Sequence, residues 1–273
     1  MNRPLLEIID LRISFGDLVV VDGINLTMEQ GQSLAIVGES GSGKSVTALS
    51  TIGLLPKTAV VEGQILFKGN NICTMNNKQL RNIRGNKIAM IFQEPMSSLN
   101  PVYSIGEQIM ETLLTHEAIT HREAKQRTFE ALDEVGIETD RFKSYPHEFS
   151  GGMRQRVMIA IALACKPSLL IADEPTTALD ASTSRQIVDL LLTIQQNREM
   201  AILFITHDLC IVPTIAQNIC VMRHGIIVEK GETKRVLEKP KHKYTSSLIA
   251  CVPSLYTKCH RLQTIESCSN TKV

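Results

Sequence analysis

The chain contains Gly38-Glu39-Ser40-Gly41-Ser42-Gly43-Lys44-Ser45, which fits the phosphate-binding loop (P-loop) pattern G-x-x-x-x-G-K-[ST]. An apolar run over residues 34–37 precedes it, and a helix-compatible stretch over residues 46–50 follows it. A strand that turns through glycines into a helix directs backbone N–H groups and the positive end of the helix dipole towards an anion. We therefore expect Lys44 to bridge the β- and γ-phosphates of a nucleoside triphosphate and Ser45 to bind Mg²⁺. The alternative is a simple Gly/Ser-rich turn, which the two flanks disfavour.

Composition limits the class of protein. The 273 residues are 43% hydrophobic, which suits one large domain or a domain with a subdomain. Lys and Arg number 29 against 28 Asp and Glu, so no basic excess indicates binding to nucleic acid. The first residues include no long apolar segment, which argues against a signal peptide. The longest apolar run, Val157–Cys165, is far shorter than the ~20 residues of a membrane span, so we expect a soluble or peripheral protein.

The seven cysteines form no C-x-x-C pair. They stand at positions 73, 165, 210, 220, 251, 259 and 268. From this scatter we expect reduced, mostly buried thiols. A metal site at Cys251, Cys259 and Cys268 is the alternative, but the spacings do not match a zinc pattern.

Hydrophobic periodicity divides the chain into regions. The predicted strands cover residues 5–15, 17–21, 24–28, 63–67, 87–92, 168–172, 201–205, 218–222 and 226–228. The first three alternate like antiparallel strands, whereas the continuous apolar runs over 168–172 and 201–205 are typical of buried parallel strands. Residues 100–147 are polar, with helices expected over 105–116 and 121–135, which indicates a helical subdomain inserted into the core. A further helix is expected over 181–196.

Two acidic residues, Asp173 and Glu174, follow the apolar run over 169–172. The carboxyl ends of parallel strands lie at one edge of a sheet, where α/β proteins bind ligands, and the P-loop follows its strand at the same edge. We expect Asp173 to hold Mg²⁺ and Glu174 to orient or deprotonate the attacking water. The alternative is a strand followed by an acidic helix cap, which is less favoured in a chain that also has a P-loop.

A third candidate site is Ser150-Gly151-Gly152, directly before the apolar run that starts at Val157. Small residues at a helix N-terminus let N–H groups approach a phosphate. Taken alone, this stretch is equally consistent with an ordinary helix cap.

The order of these motifs resembles the ATP-binding subunits of ABC transporters over residues 5–235. The shared order is the P-loop, Gln93 after a strand, Ser-Gly-Gly before a helix, Asp173-Glu174, Ala178-Leu179-Asp180 and Thr206-His207-Asp208. The resemblance implies an α/β fold with a P-loop NTPase core and mainly parallel sheet, an N-terminal antiparallel β-subdomain and an inserted helical subdomain. It also implies an ATP-binding domain over residues 1–238, with the helical subdomain at about 94–160, and a C-terminal extension over 239–273.

The resemblance assigns roles to individual residues. Glu174 and His207 match the catalytic base and the switch histidine, while Ser45, Gln93 and Asp173 match the Mg²⁺-binding residues. ATP would be bound by Phe15, Gly38, Glu39, Ser40, Gly41, Ser42, Gly43, Lys44, Ser45, Val46, Ser150, Gly151, Gly152 and Asp180. In that family Ser150-Gly151-Gly152 would bind the γ-phosphate of ATP held by an opposite subunit. Two departures are Phe149 and Met153, where leucine and glutamine are commonest, and a third is Phe15 in place of the more usual tyrosine.

The resemblance also implies partners. ATP and Mg²⁺ would be the cofactors, and two membrane-spanning permeases would bind the chain at the cytoplasmic face of the plasma membrane. A second ATP-binding subunit would complete the site; a paralogue is the first hypothesis, and a copy of this chain is the alternative. An extracytoplasmic substrate-binding protein would act indirectly, and no nucleic acid is expected.

Residues 93–101 and 240–253 resemble the oligopeptide, dipeptide and nickel importer subfamily, although Lys243 stands where proline is usual. Peptide import is therefore the first hypothesis and nickel import the alternative. Cys259 and Cys268 do not form the cluster pattern of longer members, so we expect no iron–sulfur centre. A soluble ABC ATPase of DNA repair or translation is the alternative from another class, but such proteins usually carry two cassettes or a long coiled coil, and this chain has neither. A P-loop kinase would need neither Gln93 nor Ser150-Gly151-Gly152.

Overall fold

The computed structural model describes residues 3–92, 98–177 and 179–251. Its strands are Leu6–Phe15 (β1), Leu18–Met28 (β2), Ser33–Val37 (β3), Ala59–Phe67 (β4), Asn70–Asn71 (β5), Ile88–Ile91 (β6), Leu169–Asp173 (β7), Ala201–Thr206 (β8), Asn218–Arg223 (β9) and Ile226–Glu232 (β10). Its α-helices are Lys44–Thr51 (α1), Asn77–Ile83 (α2), Ile105–His116 (α3), His121–Glu134 (α4), Gly151–Leu163 (α5), Ala181–Arg198 (α6), Val212–Ile215 (α7), Thr233–Glu238 (α8) and Lys243–Ala250 (α9).

The larger sheet positions the site. Within the described ranges its strand order is β10-β9-β3-β8-β7-β6, and all neighbours are parallel except β10, which runs antiparallel to β9. Every residue of β3, β7 and β8 is buried. Apolar clusters cover both faces, which explains why these strands are continuous hydrophobic runs in the sequence. The predicted buried parallel strands are confirmed.

The smaller sheet is antiparallel, with the order β2-β1-β4-β5. The prediction of separate strands over 17–21 and 24–28 is wrong, because β2 runs unbroken from Leu18 to Met28. The break in its pattern is a local irregularity in which Gly23 has φ of +66° and the pairing with β1 shifts register. The side chain of Asn25 bridges the irregularity, since its Oδ1 accepts the N–H of Asp10 and its Nδ2 donates to the carbonyl of Gly23.

Helices α3 to α5 form the helical region predicted between the strands. The observed α3 and α4 agree with the predicted helices over 105–116 and 121–135 to within one residue. Two arginines connect the helices of this region to one another and to α6. Arg127 pairs with Glu117 and donates to the carbonyl of Ala164 at 3.0 Å. Arg198, at the end of α6, pairs with Glu134 and donates to the carbonyl of Leu163 at 2.9 Å.

The cysteines correct one expectation. Among the described residues, Cys165 and Cys220 are buried but Cys73 and Cys210 are exposed, so the prediction of mostly buried thiols is wrong there. Burial raises the pKa of Cys165 to about 11 and that of Cys220 to about 12, which keeps both thiols protonated and unreactive. Cys259 and Cys268 lie outside the described residues.

The helices in the part of the chain that the structure describes are too short or too polar to cross a bilayer.

Replacing Phe204 by alanine is expected to lower the free energy of unfolding by about 3–5 kcal/mol, because the cavity would open at the centre of the larger sheet. Phe204 is 1% exposed and pairs with Ala35 of β3 and Ala172 of β7. Urea denaturation measures the loss. The control is Ile226→Ala, since Ile226 is partly exposed on β10 and its replacement should cost within about 0.5 kcal/mol. Equal losses in the two variants would contradict the central position of Phe204.

Candidate nucleotide-binding site

The P-loop connects β3 to α1 at the carboxyl edge of the larger sheet. Gly43 caps α1 with φ of +102°, a conformation that L side chains rarely adopt, so the turn needs a glycine at this position. The helix begins at Lys44, and its first N–H groups therefore face the loop. This is the strand, turn and helix order that the sequence predicts.

Lys44 lies folded into the P-loop. Its Nζ donates to the carbonyl of Gly38 at 2.8 Å and to the carbonyl of Glu39 at 2.7 Å. Burial lowers the pKa of Lys44 from the usual 10.5, while the neighbouring carboxylates, Glu174 first among them, act in the opposite direction. An ammonium held among carbonyls and carboxylates at the end of the loop is placed to meet an anionic ligand.

Ser45 and Asp173 lie together although they come from different strand–loop units. The Oγ of Ser45 donates to Oδ1 of Asp173 at 3.2 Å. Burial raises the pKa of Asp173 above the usual 3.8, and the hydrogen bond from Ser45 opposes this. A hydroxyl and a carboxylate oxygen form the hard-oxygen donor set that Mg²⁺ prefers, so the two residues fit a metal that bound phosphates would complete.

Glu174 is held by two polar side chains at the same edge. Its Oε1 lies 2.9 Å from Nδ1 of His207, and its Oε2 accepts a hydrogen bond from Oγ1 of Thr177 at 2.9 Å. Burial by itself raises the pKa of Glu174, but these hydrogen bonds bring it below the usual 4.5. Because an ionised carboxylate only accepts, Nδ1 of His207 carries the proton, which leaves Nε2 as an acceptor while the ring is neutral.

The Ser150-Gly151-Gly152 stretch lies at the start of α5, beside the start of α6. Ser150 caps α5, and its Oγ accepts the N–H of Met153 at 3.4 Å. A methyl group on Gly152 would lie 2.4 Å from Cγ2 of Thr183, so only glycine permits this approach of the two helices. Asp180 caps α6 by accepting hydrogen bonds from the N–H and the hydroxyl of Thr183. The structure thus brings Ser150, Gly152 and Asp180 together as a second polar group, on two helix N-termini.

Phe15 lies at the turn of the β1–β2 hairpin, where it pairs with Leu18 and is partly buried. The same hairpin reaches the P-loop, because a methyl group on Gly43 would lie 2.8 Å from the carbonyl oxygen of Val20. Val46 lies in the first turn of α1. Gln93 lies outside the described residues, as does Ala178.

Two side chains at the site were not identified from the sequence. Thr177 donates to Glu174 from three residues further on, a local turn contact that the Thr-rich stretch 176–177 could have suggested. Tyr244 contacts the backbone N–H of Glu39 at 3.2 Å across 205 residues of sequence. A contact at that separation leaves no sequence signal in a single chain.

Family models match most of the chain. The model described as "ABC transporter" matches residues 21–177, and the model described as "Oligopeptide/dipeptide transporter, C-terminal region" matches residues 228–271. The first match covers more than half of the 273 residues.

Curated relatives agree with these matches. The chain is 51% identical to the peptidoglycan transport ATP-binding protein YejF of Agrobacterium fabrum, over 92% of this chain and 48% of that protein. It is 48% identical to the oligopeptide transport ATP-binding protein OppD of Bacillus subtilis, over 92% and 72% of the two chains. It is 46% identical to the dipeptide transport ATP-binding protein DppD of Haemophilus influenzae, over 96% and 82%. The chain thus spans about half the length of the first relative and more than two thirds of the other two.

Solved structures share the fold. CbiO1 from Clostridium perfringens, part of the ABC transporter complex CbiONQ, superposes with a TM-score of 0.76 at 30% identity, over 86% of this chain and 91% of that one. The ATP-binding cassette MJ0796, solved as a dimer in a post-hydrolysis state with ADP and Pi, gives 0.73 at 26% identity, over 84% and 98%. These neighbours confirm the predicted α/β cassette. By sequence, fold and site geometry, the chain belongs to the ABC transporter family and is one of its ATPases.

Proposed function

We propose that this ATPase powers the import of oligopeptides or dipeptides through a membrane transporter. The match of residues 228–271 to the oligopeptide/dipeptide transporter C-terminal model carries the proposal, because it distinguishes this subfamily from other ABC ATPases. The relatives named for oligopeptide and dipeptide transport support it at 46–48% identity. We further propose the division into an ATP-binding domain over residues 1–238 and a C-terminal extension over 239–273, since α8 ends at Glu238.

Residues 38–46 are proposed to bind the ATP phosphates, with Phe15 at the adenine ring. The N–H groups at the start of α1 and the ammonium of Lys44 supply the positive charge. Mg²⁺ would be held by Ser45 and Asp173, with Gln93 as the third protein residue, and when bound it would neutralise charge on the phosphates. The 3.2 Å contact between Ser45 and Asp173 supports this assignment.

Glu174 is proposed as the residue that orients and deprotonates the attacking water. Its lowered pKa keeps it ionised at neutral pH, and the contacts with His207 and Thr177 fix the direction of its two oxygens. The ring of His207 is 62% exposed, so its second nitrogen remains accessible to the γ-phosphate. In this arrangement hydrolysis is sensitive both to the carboxylate and to the histidine that orients it.

The complete site is proposed to form between two ATP-binding subunits. Ser150, Gly151 and Asp180 are exposed, and Ser150–Gly152 adjoins Leu179 and Thr183 rather than being enclosed by its own chain. Helix N-termini that face outwards are suited to receive the γ-phosphate held by a second subunit, which we propose is a paralogue. Loss of the γ-phosphate after hydrolysis would then loosen the pair. Two permeases would couple this cycle to transport at the cytoplasmic face of the membrane, with a substrate-binding protein on the other side.

The variant Glu174→Gln should bind ATP normally but lose about 10²- to 10⁴-fold in hydrolysis, because the amide cannot accept the proton of water. It should also accumulate as an ATP-bound dimer, alone or with its paralogue, in size-exclusion chromatography. Glu130→Gln is the matched control, since Glu130 is exposed on α4. Normal turnover by Glu174→Gln would remove Glu174 from the role of base.

The variant His207→Ala should raise the pKa of Glu174, because a hydrogen bond that favours the carboxylate is lost. In the native chain the lowered pKa means that this stabilisation is present above the usual 4.5 and is lost as the pH falls through the lower folded value. Carboxyl ¹³C NMR titration of the two proteins measures the shift, and His121→Ala on α4 is the control. An unchanged titration of Glu174 would show that His207 does not orient it.

The substrate is tested in proteoliposomes that contain this chain with the second ATPase, permease and binding-protein subunits encoded beside it. Uptake of di- and oligopeptides should depend on ATP and be lost with Glu174→Gln. Uptake of Ni²⁺ in place of peptides would overturn the peptide assignment. ATP hydrolysis that the membrane subunits neither bind nor stimulate would overturn the transport function itself.

A further inference from the structure

Helix α9, in the proposed C-terminal extension, contacts the P-loop through Tyr244. The hydroxyl of Tyr244 accepts the backbone N–H of Glu39 at 3.2 Å, and the side chain is 3% exposed. The backbone contacts of a P-loop set how its N–H groups point, so a fixed acceptor here constrains the entry to the loop.

The segment that carries Tyr244 is anchored on β10. The two carboxylate oxygens of Glu229 accept the N–H groups of Lys241 at 2.8 Å and His242 at 3.1 Å. Burial by itself raises the pKa of Glu229, but the hydrogen bonds that it accepts bring it below the usual 4.5, so it is an ionised acceptor at neutral pH. Nδ1 of His242 then accepts the N–H of Tyr244 at 3.1 Å and caps α9. The start of α9 is therefore fixed by contacts that do not involve the hydroxyl of Tyr244.

The ring of Tyr244 is fixed as well. The guanidinium carbon of Arg223 lies 4.6 Å from the ring centroid, a cation–π contact. Arg223 ends β9, which pairs with the P-loop strand through Val221 and Val37. Tyr244 thus joins the strand beside the P-loop to the backbone of the loop.

Glu39 transmits this contact to the phosphate-binding lysine. Its N–H is held by Tyr244, while its carbonyl accepts a hydrogen bond from Nζ of Lys44 at 2.7 Å. A rotation of the backbone at Glu39 would change the direction of that carbonyl and remove this hydrogen bond, leaving the ammonium with the carbonyl of Gly38 at 2.8 Å. Glu39 therefore connects Tyr244 of α9 to one of the hydrogen bonds that position Lys44.

We propose that Tyr244 is a positioning residue of the ATP site, and that docking of α9 and binding of ATP are coupled through Glu39. The inference rests on the phosphate-binding role of residues 38–46, and it holds whichever substrate is transported. If the contact is lost, the nucleotide-free loop adopts the binding-competent conformation for a smaller fraction of the time. The apparent affinity for ATP then falls in proportion to that population. Because coupling is reciprocal, ATP must also stabilise the docked α9 by the same factor.

The test is Tyr244→Phe in the full chain, which removes the hydroxyl and keeps the ring on Arg223. We expect ATP affinity in a calorimetric titration to weaken about three- to tenfold, as for the loss of one hydrogen bond. In the assembled transporter KM for ATP should rise while kcat is kept, since the contacts of Glu174 are untouched. Tyr103→Phe is the matched control, because Tyr103 is 52% exposed in the loop before α3. Unchanged ATP affinity in Tyr244→Phe would overturn the proposal.

Hydrogen exchange separates positioning from a purely structural role. In the native chain ATP should slow exchange of the α9 amides, and the effect should shrink by the same factor in Tyr244→Phe. Lower thermal stability with native ATP affinity would make Tyr244 a structural residue and overturn the coupling. A native chain that binds no ATP would refute the nucleotide site itself. Failure of peptide uptake with the affinity shift intact would refute only the proposed substrate.

Discussion

The parallel pairing of β3, β7 and β8 is the constraint on which the site depends. Val37, the last residue of β3, pairs with Thr206 of β8, and Asp173 of β7 pairs with Ile205. This register puts the ends of three strands side by side, so that a glycine-rich loop, two carboxylates and a histidine meet at one edge. A slip of one residue would turn the side chains of a strand to the opposite face and separate Ser45 from Asp173.

Burial shifts the pKa values of the charged side chains at this edge of the sheet. Lys44 and Asp173 are almost completely buried, and burial acts on their two pKa values in opposite directions. Burial destabilises the charged form of each side chain, yet each lies near a group of opposite charge. Glu174 is more exposed and has its own hydrogen-bond donors, so it remains ionised next to a carboxylate of raised pKa. The surroundings thus shift the pKa values of two neighbouring acids in opposite directions.

Much of this arrangement could be predicted, because the informative patterns are local. Continuous apolar runs identify β7 and β8, and glycine spacing identifies the P-loop, so the meeting of Ser45 and Asp173 follows from the rule that parallel strands share an edge. The prediction of two strands in place of β2 was wrong. The residue pattern breaks near Gly23, but the side chain of Asn25 holds the backbone together across this irregularity and the strand continues. The contact between Tyr244 and Glu39 was not predicted. It depends on how α9 packs in three dimensions, and no repeat or residue spacing in the sequence indicates it.

The C-terminal end of α5 is anchored by two arginines. Arg127 and Arg198 hold the last carbonyls of this helix, at Ala164 and Leu163, and each is paired with a glutamate of the helical region. Guanidinium groups at the negative end of the helix dipole favour this geometry. Ser150 lies at the opposite end, one helix length away. Because one rigid helix joins the two ends, the salt-bridged arginines that hold Leu163 and Ala164 also determine where Ser150 lies relative to the core.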